Sequence, residues 1–237
     1  MRLLFTPGTD GVGTLVLSNQ PHNTLDQPLF TERSLVERVL GHPGQKALIL
    51  QGEGRHFSHG ADPEKLRRQL GAPDFPHEMD RGKELLALIA DAPIPVLALV
   101  RGGCLGAGLE IALCCHFRFA ASSSLFGFPE VELGLIPGFG GALFLDGVAT
   151  RRAAIDLLLS GRMIGAAEAH SLGIVDRVCP AAMLDQSARD YLHALVGRRT
   201  VSQVRAVMES LRNARRLPLA KALRRETELF MGVARGE

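Results

Sequence analysis

The chain has 237 residues, enough for a single domain with a sizeable buried core. Hydrophobic residues make up 46% and charged residues 22%, an ordinary globular balance, and the formal net charge is only +2. One Tyr, no Trp and basic clusters diluted by acids exclude a nucleic-acid groove built on stacked bases.

The most apolar stretch, Ile94 to Val100, is bounded by prolines and Arg101 and is far too short to span a membrane. No apolar run with a small-residue cleavage site follows Arg2, so no secretory signal is expected. Cys104, Cys114, Cys115 and Cys179 lack a two-plus-two metal spacing, and three of them sit in strongly apolar sequence. They read as reduced core thiols of a cytoplasmic protein.

In chain order, Val12 to Leu17 reads as a strand after a glycine turn, and Leu29 to Leu40 as an amphipathic helix. Ala47 to Leu50 is a short buried strand. Asp62 and Pro63 have the form of a helix cap and first helical position. Gly71 to His77, with Pro73 and Pro76, reads as a surface loop, and Arg81 to Ala90 as a helix. Pro95 to Val100 is a strand, followed by glycines and a buried helix from Leu105 towards Phe117. Phe117 to Ala120 re-enters as a strand. Beyond a Gly/Pro-punctuated segment, Phe126 to Gly141, the pattern is helical: Ala142 to Leu145, Ala153 to Leu159, Ala166 to Ser171, Met183 to Val196 and Val201 to Met231. One apolar run, Ile174 to Val178, interrupts it. Strand and helix alternation followed by helices predicts one α/β domain of strand-strand-helix units, 1–180, with a helical C-terminal region, 181–237.

Two glycine loops lead into helices. In Arg55-His56-Phe57-Ser58-His59-Gly60-Ala61-Asp62, Gly60 allows a tight turn that would leave the His59 amide open at a pocket mouth. Gly102-Gly103-Cys104-Leu105-Gly106-Ala107-Gly108-Leu109-Glu110 enters a helix whose first amides favour negative charge. Two such N–H groups aimed at one carbonyl would stabilise an enolate-like oxyanion. Neither loop has the Lys-Ser or Lys-Thr ending of a phosphate loop, and the second lacks the spacing of a dinucleotide fingerprint.

Glu110 lies in the apolar run Leu109 to Cys115, and Glu130 follows Pro129 in Phe128-Pro129-Glu130-Val131-Glu132-Leu133-Gly134. Paired carboxylates in an apolar cleft raise one another's proton affinity and suit general acid/base work. From the residues alone the alternative stays open: a helix-surface acid and a loop ion pair.

These segments together resemble the crotonase superfamily, the enoyl-CoA hydratases and isomerases. The resemblance rests on His59-Gly60-Ala61-Asp62, on Gly102 through Glu110, and on Phe126-Gly127-Phe128-Pro129-Glu130 leading to Leu135-Ile136-Pro137-Gly138-Phe139-Gly140-Gly141. Leu159-Ser160-Gly161-Arg162, Ala166 to Gly173 and Val175 to Pro180 continue it. It implies a crotonase-like spiral and a trimer, often paired into a hexamer, with 181–237 in the subunit contacts. It implies an oxyanion hole from the His59 and Ala107 amides, and Glu110 and Glu130 as catalytic acid and base. Gly60, Ala61, Asp62, Gly106, Gly108, Pro137 and Gly138 would contact substrate. No separate cofactor and no metal is expected; coenzyme A or phosphopantetheine would be part of the substrate.

Retention of both glutamates puts hydration of a 2-enoyl thioester ahead of double-bond isomerisation and decarboxylation. A catalytically inactive binding or assembly homologue is the rival from a different class. Three features depart from the family pattern. His59 is bulky where relatives carry Ala, Ser or Gly. The loop Gln20-Pro21-His22-Asn23-Thr24-Leu25 offers only His22 where relatives place phosphate-contacting cations. The chain stops shortly after Phe230, where relatives continue with a further helical segment. Both losses fall on the nucleotide end of coenzyme A, which raises an acyl carrier protein as the alternative substrate carrier. His56 and His116 read as structural.

Overall fold

The structure, a computed structural model, describes residues 1–25 and 32–236. Its core is a six-stranded sheet in the order β1-β2-β3-β4-β6-β9. These strands are Arg2–Thr6 (β1), Val12–Ser18 (β2), Ala47–Gly52 (β3), Val96–Val100 (β4), Phe117–Ala121 (β6) and Arg177–Cys179 (β9). β1 and β2 pair antiparallel; every later neighbour in this sheet is parallel. All five residues of β4 are buried, as its unbroken Val-Leu-Ala-Leu-Val predicts for a central parallel strand covered on both faces.

A second sheet, in the order β5-β7-β8, is formed by Gly103–Leu105 (β5), Leu125–Gly127 (β7) and Ile164–Gly165 (β8). The chain thus feeds each sheet in turn: β4 then β5, β6 then β7. This is the expected α/β spiral of strand-strand-helix units.

The helices are Arg33–Gly41 (α1), Pro63–Gln69 (α2), Phe75–Ala90 (α3), Ala107–Cys114 (α4), Gly141–Asp146 (α5), Arg151–Ser160 (α6), Ala166–Ser171 (α7), Leu184–Val196 (α8), Val201–Arg216 (α9) and Leu219–Arg235 (α10). The first part of the helix expected over Leu29 to Leu40 lies outside the described residues. All four cysteines are free and buried. Among the described residues no helix is long and apolar enough to cross a membrane.

Three expectations need correction. The loop assigned to Gly71–His77 is already helical from Phe75, with Pro76 in the first turn. There its missing N–H would have had no intrahelical partner, so the proline starts the helix rather than interrupting it. The helical stretch Val201 to Met231 is two helices broken at Pro218, which precedes α10. The apolar run Ile174 to Val178 contributes a strand only from Arg177; Ile174 and Val175 are core residues at the turn before it. β5, β7 and β8, of three, three and two residues, are too short to show a sequence period, and β1 was not anticipated.

The hairpin of α9 and α10 is held by Arg225 Nε donating to Glu209 Oε1 at 2.9 Å and Ser210 Oγ donating to Glu226 Oε1 at 3.0 Å. α9 buries only Val204, and α10 buries no residue. Leu219, Leu223 and Phe230 are exposed.

Candidate active site

The glycine loops meet where the two sheets' connections converge. Gly60 has φ +77°, and a Cβ there would stand 2.9 Å from the Ala107 nitrogen. Gly106 has φ +52°, and a Cβ there would stand 2.5 Å from Glu130 Oε1. Both positions need a residue without a side chain, for conformation and for space. Their close approach brings the start of α4, the His59 loop and Glu130 to one wall of a cavity of about 440 Å3.

All eight residues of α4 are buried, so the carboxylate of Glu110 is removed from bulk water. Its Oε1 accepts the Phe139 N–H at 2.8 Å and the Gly141 N–H at 2.6 Å. These donors belong to the turn that opens α5. Glu110 Oε2, also buried, has no hydrogen-bond partner. Burial, reinforced by the neighbouring Glu130 charge, pushes the Glu110 carboxyl up to about 7 against the pull of the two N–H bonds.

Glu130 projects from the 3-10 turn Pro129–Leu133, with Pro129 fixing its entry. Its Oε2 is likewise buried without a partner, and burial raises its carboxyl above the usual range. Both acids line the cavity. They combine raised proton affinity with one uncommitted oxygen each, so water or a substrate atom between them has two groups able to give or take a proton.

The two amides expected to form the oxyanion hole differ. Ala107 is the first residue of α4, where backbone N–H groups lack intrahelical acceptors. The His59 N–H instead donates to the His22 carbonyl at 3.0 Å, so it is not the open donor that the sequence suggested. The cause is the 19–25 loop. Buried Asn23 donates from Nδ2 to the carbonyls of Glu53 and His56, at 2.9 and 2.8 Å, and Ser58 Oγ donates to the Asn23 carbonyl at 2.7 Å. These bonds lay His22 against His59.

Of the other candidate residues, Ala61, Asp62, Gly106 and Gly138 line the cavity. Asp62 also caps α2, its Oδ1 accepting from Glu64 N at 2.9 Å and Lys65 N at 3.1 Å. Gly60, Gly108 and Pro137 lie behind the lining. Gly108 packs on Ser58, and Pro137 on Gly141.

Sequence reasoning missed the apolar wall supplied by Leu66 of α2, Leu70 just after it, and Phe75 and Met79 of α3. It also missed the hold of Phe139 and Gly141 on Glu110. The Phe139-Gly140-Gly141 run was visible as part of the family pattern, but nothing in its residue types names the carboxylate it binds. His116, by contrast, is structural as expected: its Nδ1 accepts the Val96 N–H at 3.0 Å.

The sequence profile described as "Enoyl-CoA hydratase/isomerase" matches residues 8–235. A Bacillus subtilis protein described as "Probable enoyl-CoA hydratase" is 37% identical over 165 residues, covering 69% of this chain and 64% of that protein. The glyoxysomal fatty acid beta-oxidation multifunctional protein MFP-a of Cucumis sativus is 34% identical over 201 residues, covering 84% of this chain but 28% of that protein. The chain therefore spans less than two thirds of the length of these relatives. Among solved structures, enoyl-CoA hydratase from Bacillus anthracis superposes with a TM-score of 0.89 at 28% identity, covering 99% of this chain and 92% of that one. DspI from Pseudomonas aeruginosa superposes at 0.88 and 25% identity, covering 99% and 96%.

Proposed function

The chain belongs to the enoyl-CoA hydratase/isomerase family, and from that premise we propose that it is an enzyme adding water syn across the double bond of a 2-enoyl thioester. The observation that carries this reading is the pair Glu110 and Glu130, each with a buried, unpartnered Oε2 at one cavity. Water held between these oxygens gives its hydroxyl to Cβ and a proton to Glu110. Glu130 delivers a proton to Cα, and proton exchange between the two carboxyls resets the pair. Orientation matters here as much as acid strength, because free water is a poor nucleophile.

Charge developing on the thioester oxygen is met by the Ala107 N–H at the start of α4. The His59 N–H serves as the second donor when the thioester oxygen shares it with, or takes it from, the His22 carbonyl. Incubating a 2-enoyl and a 3-enoyl thioester separately tests the reaction type. A 3-hydroxyacyl product from the 2-enoyl compound is expected; migration of the double bond alone would favour the isomerase.

His22 at the cavity mouth supports weak recognition of the nucleotide end of coenzyme A, with acyl carrier protein as the alternative carrier. His22 stands where relatives place phosphate-contacting cations, and exposed phosphate contacts contribute about 0.2–1 kcal/mol each. The same crotonyl group should therefore react with similar kcat/KM on coenzyme A, on a pantetheine fragment and on acyl carrier protein. A coenzyme A advantage over pantetheine above about a hundredfold, about 2.7 kcal/mol, would show that the nucleotide is recognised. Residues such as Arg67 and Arg68 of α2 would then be its contacts, and the carrier-protein reading would fall.

The exposed Leu219, Leu223 and Phe230 of α10 support assembly as a homotrimer, with pairing into a hexamer as its extension. Light scattering at micromolar concentration should give at least three subunit masses, and a single subunit mass would refute assembly.

A further inference from the structure

We propose that His22, His56 and His59 form a binding site for a first-row divalent metal ion of the zinc type, tying the 19–25 loop to the loop that ends at Gly60. This is independent of the hydratase reading. Residue spacing gives no hint of it, because His22 arrives from a separate segment and only the Asn23 bonds to Glu53 and His56 bring it alongside.

One nitrogen from each ring lies within 4.8 Å of the others. The His56 and His59 rings meet edge to face at 4.4 Å between centroids, and His22 stacks on His59 at 4.6 Å and 21°. Two glycines make room for the cluster. A Cβ at Gly102 would stand 2.7 Å from His56 Nδ1, and one at Gly103 2.5 Å from His59 Nε2. Burial holds the His56 and His59 rings below the ordinary histidine range, with Arg55 adding to the effect on His56. Neutral imidazole is the form that ligates metal.

Ligation requires two local changes. Nitrogens 2.0–2.1 Å from one tetrahedral ion sit roughly 3.3 Å apart, so the rings must close in. The exposed His22 ring has the freedom to leave its stack and do so. His56 Nδ1 accepts the Gly103 N–H at 3.0 Å. A neutral imidazole has a single lone pair, so His56 gives up that bond on either route: Nδ1 turns its lone pair to the metal, or Nδ1 takes the proton, can no longer accept from Gly103, and frees Nε2 to bind. Both costs point to a reversible site, not a permanently loaded structural one. Three imidazoles leave the fourth position to water, and an ion here stands at the cavity mouth, which His22 and His59 line.

The test uses the full chain stripped with chelator and titrated with Co2+ and then Zn2+. Visible absorption reports the cobalt geometry, and calorimetry gives the zinc stoichiometry. One equivalent per chain with tetrahedral cobalt bands is expected. His22→Ala and His59→Ala should each weaken binding by at least about tenfold, while His116→Ala, remote from the cluster, leaves it unchanged. Thermal melts establish that the variants fold, and His22→Gln at the exposed ring provides a milder replacement. Absence of binding in the parent chain would overturn the site, as would binding unaltered by loss of His22 and of His59.

Discussion

Glu110→Gln and Glu130→Gln each lower turnover of a 2-enoyl thioester by at least about a hundredfold while the chain stays folded. In Glu110→Gln the side-chain amide oxygen remains an acceptor for the Phe139 and Gly141 N–H groups that now bond Glu110 Oε1. What the variant loses is the ionisable Oε2, buried with no protein partner on a residue that lines the cavity. Glu130→Gln similarly keeps the shape beside Gly106 and removes the proton. Steady-state kcat on crotonyl thioester, with circular dichroism as the folding control, decides the matter. Near-parental turnover by Glu110→Gln would leave Glu130 as a lone proton shuttle and promote the isomerase. Near-parental turnover by Glu130→Gln would remove the acid/base pair altogether.

The same carboxyl makes stability depend on pH. Glu110 is held at about 7 in the folded chain against an ordinary value of 4.5, chiefly by burial. Between those values the native state binds the proton more tightly than the unfolded chain does. The group's stabilising contribution is therefore complete below 4.5 and is lost as pH rises through 7. Its full extent is about 3 kcal/mol. Glu110→Gln cannot ionise and escapes this loss. Urea unfolding at fixed protein concentration, at about pH 5 and about pH 8, should show the variant gaining on the parent by about 2–3 kcal/mol across that interval. A difference that does not change with pH would mean that Glu110 ionises as freely as an exposed acid. An active-site acid whose removal stabilises the fold above neutrality is expected where catalysis requires a buried charge.

Much of this was legible in the chain. The glycine loops, Glu110 in apolar sequence and Pro129-Glu130 located the cavity, and β2, β3, β4 and β6 announced themselves by apolar runs. The remainder depends on contacts between distant segments. Strands such as Gly103–Leu105 and Ile164–Gly165 are too short to show alternation. They exist because neighbouring turns of the spiral supply partners. Pro76 and Pro218 both stand at the start of a helix, but only Pro218 also cuts a stretch whose apolar period runs on to either side. The engagement of the His59 amide by His22 depends on Asn23, whose buried side chain joins segments about thirty residues apart. Local sequence could place the turn at Gly60 but not the carbonyl that lies across it.

If two buried glutamates add water to a carbon–carbon double bond, the new oxygen comes from solvent, which a 2-enoyl thioester supplied in heavy-oxygen water reveals by mass spectrometry. A 3-hydroxyacyl thioester carrying one solvent oxygen at Cβ is expected, formed by the parent chain and suppressed in Glu110→Gln and Glu130→Gln. A product of unchanged mass with a migrated double bond, or labelled product formed equally well by both variants, would contradict hydration by this pair.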